Sequence, residues 1–150
     1  MTAERLLLAR VGPETFAFPL AEVIEVIEVT EAREVTPLAL APAGVAGQSV
    51  YRDRLLPVID GGTLLGVPRT SPAGVLLVIE VDGERVAIWA DDVLDMVTVE
   101  EQRLRPVPAG SGAAGAMLRS VVDLGQGIAA LVSMDDVRAS VRARLMTEVA

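Results

Sequence analysis

Apolar residues in this chain fall into short runs separated by glycine, proline and acidic residues, a spacing that predicts strands rather than long helices. Residues 75–81 and 85–90 flank Asp82-Gly83, and Asp-Gly supplies the positive φ values that a type I′ hairpin turn demands. An earlier pair, 5–11 and 15–20, flanks Gly12-Pro13-Glu14 in the same way. Segments 23–29 and 93–99 alternate apolar with acidic or polar residues. In the first of them Val23, Glu25 and Ile27 share one face and Ile24, Val26 and Glu28 the other, with a short helical turn from Ala21 leading in. The one helical signature lies near the end. Ser133-Met134-Asp135-Asp136 resembles a capping box, and Val137, Val141, Leu145 and Val149 follow at helical spacing, predicting a helix over about 134–148 that packs its apolar face and turns Arg138, Arg142 and Arg144 to solvent.

The pattern repeats. At an offset of 70, Leu7 meets Leu77, Val11 meets Val81, Ala17 meets Ala87, Val23 meets Val93 and Val29 meets Val99, while Glu25 meets Asp95. At an offset of 73, Leu55-Leu56-Pro57-Val58-Ile59 meets Ile128-Ala129-Ala130-Leu131-Val132. The chain therefore reads as one domain of two related β-rich halves, about 1–68 and 73–137, closed by the helix. Short runs with Gly/Pro punctuation favour a barrel or sandwich over βαβ units.

Composition narrows the function. The chain contains no cysteine and no histidine, which removes disulfides, thiol nucleophiles, imidazole metal sites and the commonest general base. A net charge of −8 opposes nucleic acid and anionic membranes as partners. The apolar stretch around Leu6-Leu7-Leu8 is too short for a signal peptide, and no run is long enough to span a bilayer, so a cytoplasmic protein without membrane insertion is expected. Aliphatic content is high for the size, pointing to apolar surface held for a protein partner.

Several motifs invite chemistry and are better read as structure. Gly110-Ser111-Gly112-Ala113-Ala114-Gly115 satisfies a dinucleotide-binding pattern, but it follows Arg105-Pro106-Val107-Pro108, which cannot end a central parallel strand. The carboxylates Asp91-Asp92, Asp95 and Glu100-Glu101 lack the spacing of a calcium loop and read as a solvated strand face, so neither metal nor cofactor is expected. Asp60 stands before Gly61-Gly62-Thr63 as a helix cap. Tyr51-Arg52-Asp53-Arg54 interrupts an apolar stretch as a hairpin-like turn, and the Tyr-Arg pair has the composition of interface hot spots. On residues alone it is turn filler or contact site.

The run from Gly44 through Gly47, Tyr51 and Arg52 to Leu55-Leu56-Pro57-Val58-Ile59-Asp60, followed by Leu64-Leu65-Gly66, resembles the signature of the CheW-like coupling proteins. The hairpin 75–93 resembles that family's second-barrel hairpin, and the likeness runs from about Leu6 to Val137. The resemblance implies a mainly β fold of two five-stranded SH3-like barrels plus a C-terminal helix. It implies a non-enzymatic adaptor that binds the regulatory domain of a CheA-type histidine kinase and the cytoplasmic tip of a chemoreceptor. Carried over residue by residue, it assigns Arg52 and Glu25 to a conserved-type ion pair, Val23 and Val93 to a receptor-facing groove between the barrels, and Gly47 to the glycine before the Tyr51–Arg52 turn. Three positions depart from the family pattern: Val50 and Asp53 replace an Asn and a Gly of that turn, and Ala87 replaces a hairpin glycine, so a different turn shape is expected. Two other classes compete: a small-ligand sensor using the inter-barrel groove, and a carboxylate-dependent hydrolase built on Asp60 or Asp91.

Overall fold

The computed structural model describes residues 2–31, 33–111 and 115–146. Its strands are β1 (Ala3–Val11), β2 (Glu14–Pro19), β3 (Glu25–Glu28), β4 (Val45–Tyr51), β5 (Arg54–Asp60), β6 (Val75–Val81), β7 (Glu84–Ala90), β8 (Asp92–Glu100), β9 (Leu104–Arg105), β10 (Leu118–Asp123) and β11 (Ile128–Val132). A short helix α1 (Gly61–Leu65) follows β5, and α2 (Met134–Met146) follows β11. The expected helical residues 147 and 148, and Gly112 to Ala114 of the glycine motif, lie outside the described residues.

The hairpins form where turn chemistry places them. Asp82 and Gly83 have φ of 51° and 83°, so β6 and β7 pair antiparallel from Val81 with Glu84 through to Val75 with Ala90. In the first copy the turn is tighter than expected: Val11 already pairs with Glu14, leaving Gly12 (φ 59°) and Pro13 as the two turn residues.

The mainly β fold with its closing helix is as expected, but hydrogen bonding cuts across the boundaries drawn from the repeat. A six-stranded sheet runs β8-β1-β2-β11-β10-β9, and a five-stranded sheet runs β3-β6-β7-β5-β4. The halves 1–68 and 73–137 thus exchange their first hairpins: β1–β2 joins the later strands, and β6–β7 joins β3, β4 and β5. The sixth strand is the two-residue β9 added beyond β10. The exchange is reciprocal. β3 pairs antiparallel with β6 as β8 does with β1, and β5 pairs parallel with β7 as β11 does with β2.

Packing explains the exchange. Leu7, Ala9 and Val11 of β1 and Leu77, Ile79 and Val81 of β6 meet in one cluster between the sheets, with Phe16, Phe18, Val86 and Ile88. The alternate residues of the same strands face the other way: Leu6 and Leu8 enter a cluster with Val122 and Leu131, and Leu76 and Val78 enter one with Leu56 and Val58. Both exchanged hairpins are therefore buried on two faces, which is why β1 and β6 read as continuous apolar runs instead of alternating ones. Each such Leu or Ile contributes roughly 1.5–3 kcal/mol of burial. Ala87, the position where the family pattern has glycine, lies fully buried mid-strand between Val78 and Val58 and needs no unusual backbone.

Helix α2 buries Met134, Val137 and Val141 in the inter-sheet cluster, and the Ser133 hydroxyl accepts the Asp136 N–H at 3.4 Å as the capping pattern predicts. Its arginines are partly exposed, as expected, but each is also engaged by a distant acceptor. Arg142 grips Asp82 through two hydrogen bonds of 2.6 and 2.9 Å, Arg138 pairs with Glu22 and donates to the Glu80 carbonyl, and Arg144 donates to the Ala43 carbonyl at 2.7 Å. Their acceptors lie 58 to 116 residues away in sequence, so helical spacing alone could not reveal them.

Candidate functional site

The edge strand β3 and the β4–β5 turn, from opposite ends of the five-stranded sheet, bring Glu25, Tyr51 and Arg52 together. Residues 52 and 53 form a two-residue turn with Tyr51 paired to Arg54. Arg52 (φ 49°) and Asp53 (φ 63°) both adopt the left-handed conformation. The glycine-free turn thus keeps the shape that a glycine would have made easy, contrary to the expected change, and holds two strained residues to do so.

That strain lifts Arg52 into an exposed position, its side chain 76% accessible, with its shape fixed by neighbours. Its Nε donates to the Tyr51 hydroxyl at 2.9 Å, and its guanidinium lies 5.2 Å from the Tyr51 ring centre. Arg52 Nη2 stands 3.6 Å from Glu25 Oε2. That oxygen is buried without a conventional hydrogen bond, so the pair is electrostatic and not a bidentate clamp. The adjoining Tyr51 hydroxyl, then Arg52 and Arg33, hold the Glu25 carboxyl below the usual carboxylate range against an opposing desolvation effect. Tyr51 first, and Glu25 after it, raise the Arg52 guanidinium above its ordinary value, so both charges persist at neutral pH. An exposed pair of this kind adds little to stability. Its effect is to orient a guanidinium toward whatever approaches.

Gly47 supports the trio from behind. It is buried at a bulge in β4, with φ 151°, and a Cβ there would collide with the Thr36 carbonyl, whose backbone runs alongside through the Thr36–Gln48 bridge. Its part is close backbone approach. Val23 and Val93 are placed differently. Each is half-buried against the inter-sheet cluster, Val23 after the helical turn Leu20–Glu22 and Val93 in β8 opposite Ala9. Their equivalence under the repeat is kept, but they do not line the cavity beside Arg52.

That cavity was not legible as a unit. It is an open groove of about 720 Å³ on the five-stranded sheet, floored by Leu55, Leu56 and Pro57, edged by Arg54 and Arg85, and walled at one end by Leu145 of α2. Ile24 and Leu55 at its margin are 42% and 66% exposed. The alternation of residues 23–29 separates Ile24 from Val23 and was the available signal; the approach of β7 and α2 was not.

The two carboxylates considered for catalysis are engaged in structure. Asp60 caps α1 as expected, accepting from the Thr63 N–H at 3.2 Å and its hydroxyl at 2.9 Å, and it also accepts from Arg69 at 2.6 Å. Arg69 in turn stacks 3.7 Å from the centre of the Trp89 ring. Asp91 does not lie on the expected solvated face. It is 4% exposed and accepts from Gly12 N–H at 2.5 Å, from Thr70 N–H at 2.9 Å and from Ser71 N–H at 2.6 Å. Asp92 and Asp95 stay exposed, each accepting the N–H of the next residue. No helix among the described residues is long and apolar enough to cross a membrane.

A CheW-like domain family model matches residues 5–141. The chain is 30% identical over 135 residues to the "Chemotaxis protein CheW" of Rhizobium meliloti, covering 88% of this chain and 85% of that protein. It is 32% identical over 133 residues to "Protein FrzA" of Myxococcus xanthus, covering 81% and 82%. The scaffolding protein TtCheW from Thermoanaerobacter tengcongensis superposes with a TM-score of 0.76 at 16% identity, over 88% of this chain and 90% of that one, a likeness of fold.

Proposed function

Since the chain belongs to the CheW-like family, we propose that it is a non-enzymatic coupling adaptor of a chemotaxis or related chemosensory pathway, acting in the cytoplasm. It joins the cytoplasmic tip of a chemoreceptor to the regulatory domain of a CheA-type histidine kinase. The observation that carries this reading is the Glu25–Tyr51–Arg52 cluster: a guanidinium fixed by a ring and a carboxylate, exposed at a strained turn, and anchored on strands with buried cores. Strain at an exposed turn is characteristic of binding sites. The engagement of Asp60 and Asp91 by helix N–H groups, loop amides and Arg69 favours an adaptor over a carboxylate hydrolase. An adaptor needs no reacting group; it needs two surfaces whose contacts differ between signalling states.

Calorimetric titration of the receptor tip hairpin and of the kinase regulatory domain, each against the wild type and Arg52→Glu, tests the reading. Wild type binds both. Arg52→Glu binds the hairpin at least tenfold more weakly, with its far-ultraviolet spectrum and melting midpoint unchanged. Hairpin binding that ignores the reversal removes Arg52 from the site.

A further inference from the structure

The arginines of this acidic chain are mostly answered by nearby carboxylates. Arg69 pairs with Asp60, Arg119 with Glu4, Arg138 with Glu22 and Arg142 with Asp82. Arg54 and Arg85 are different: both are exposed, and among the described residues neither guanidinium has an ion pair or hydrogen bond. They sit on the neighbouring strands β5 and β7 and edge the same groove, which Arg52 enters from the turn. Glu84 is the one carboxylate among the residues described as lining it. Three arginines thus face one glutamate there, in a chain carrying 21 acidic and 13 basic residues. Of the three, Arg52 is already opposed by Glu25.

A local positive field over an apolar floor is a combination with narrow uses. Leu55 and Ile24, with the partly exposed Pro57 and Leu145, supply apolar surface that a small anion or a phosphate backbone would leave exposed to water, and the surrounding net charge of −8 repels any extended polyanion. A helix with an apolar ridge bordered by Glu or Asp satisfies both halves: the ridge covers Leu55 and Ile24, and its flanking carboxylates meet Arg54 and Arg85. Apolar burial then supplies affinity, while the charges set orientation, association rate and rejection of basic helices.

We infer that this groove grips an acidic amphipathic helix, with Arg54 and Arg85 as the residues that select it by charge, and that the helix belongs to the receptor hairpin. The inference rests on the adaptor reading and adds the chemistry of the contact.

The test compares wild type, the Arg54→Glu/Arg85→Glu double variant and the Arg54→Lys/Arg85→Lys double variant. Each is titrated with a receptor tip hairpin from the same organism and, separately, with the kinase regulatory domain, in 50 and 500 mM NaCl. Circular dichroism first shows that the fold is kept. The Glu variant binds the hairpin at least tenfold more weakly in low salt, the Lys variant stays within threefold of wild type, and the added salt weakens wild type more than the Glu variant. Regulatory-domain binding stays within twofold throughout. If wild type binds neither partner, the adaptor reading falls and this inference with it. If wild type binds both and the Glu variant holds the hairpin as tightly as wild type does, the charge-selection inference alone falls. Loss of the regulatory domain with the hairpin retained would make the kinase the occupant and overturn the assignment.

Discussion

The β4–β5 turn and the β10–β11 turn occupy equivalent places in the repeat, and they have been put to different use. At the offset of 73, Tyr51-Arg52-Asp53-Arg54 stands over Leu124-Gly125-Gln126-Gly127. The backbone frame is shared: β4 slips register between Val45 and Gly47, and β10 slips between Leu118 and Ser120, the same two positions of the repeat. The side chains are not shared. Gly125 takes its positive φ of 85° without a Cβ and presents no charge, whereas Arg52 and Asp53 take theirs against steric resistance. Asp95, equivalent to Glu25, remains exposed and, among the described residues, accepts only its neighbour's N–H. Duplication thus supplied two frames, and recognition chemistry stands on one of them. A perturbation of the frame and a perturbation of the chemistry should therefore give different results in the two copies.

The largest asymmetry is expected at the shared bulge. Gly47→Ser must push a Cβ into the Thr36 carbonyl, a backbone atom held by the bridge to Gln48, and so costs about 2–4 kcal/mol. Ser120→Gly, the reciprocal change in the other copy, only loosens the chain and costs less than about 1 kcal/mol. Urea denaturation of the two single variants and the wild type measures both. A Ser120→Gly variant more stable than wild type would mean that the bulge itself, and not the passage of the β3–β4 connection over it, demands glycine.

Asp91 offers a second contrast, because its repeat equivalent is the exposed Ala21. The difference arises from the connection around residues 67–72, which exists only between the copies and needs its Thr70 and Ser71 amides satisfied. Burial pushes the Asp91 carboxyl up, but the amides of Ser71, Gly12 and Thr70, with Arg10 at 3.8 Å, outweigh it and leave the value below that of a free aspartate. A depressed native value means that the stabilisation is complete above the unfolded value of about 3.9 and is lost as pH falls toward the native one. Asp91→Asn should therefore cost about 2–3 kcal/mol at pH 7 and progressively less below pH 4. A denaturation series from pH 7 to pH 3 checks this; parallel curves for wild type and variant would show that the charge of Asp91 is immaterial.

What the sequence disclosed, and what it hid, follows the range of the interactions. The β6–β7 hairpin, the Ser133 cap and the Asp60 cap are settled within a few residues, by Asp-Gly chemistry or by a side chain reaching an amide three positions on, and they were readable. The repeat was readable because it is a relation between residue types. The exchange of hairpins was not, since it turns on the parallel pairs β5–β7 and β11–β2, whose partners lie far apart in the chain and carry no local mark. In the site, Tyr51 and Arg52 could be named from the run around the turn and Glu25 from the family resemblance, whereas Arg85 and Leu145 enter the groove through tertiary packing alone. Asp91 was misread because an Asp-Asp pair has the same composition whether it faces water or amides.

The turn gives the smallest effect and the most direct view of how recognition was added to one frame. Asp53 at φ 63° pays a steric penalty that glycine would not, and its carboxylate makes no ion pair among the described residues. Asp53→Gly should therefore raise stability by about 1 kcal/mol, a rise of roughly 2–4 °C in melting midpoint for a chain of this size, while leaving hairpin affinity as it is. Gly125→Ala, which imposes the same penalty on the other copy with open space around the new Cβ, should lower stability by a similar amount. Differential scanning calorimetry with a binding titration on each variant separates two possibilities. If Asp53→Gly stabilises the fold but weakens binding, the strain itself holds Arg52 in its binding position; if binding is unchanged, Tyr51 and Glu25 suffice to hold it.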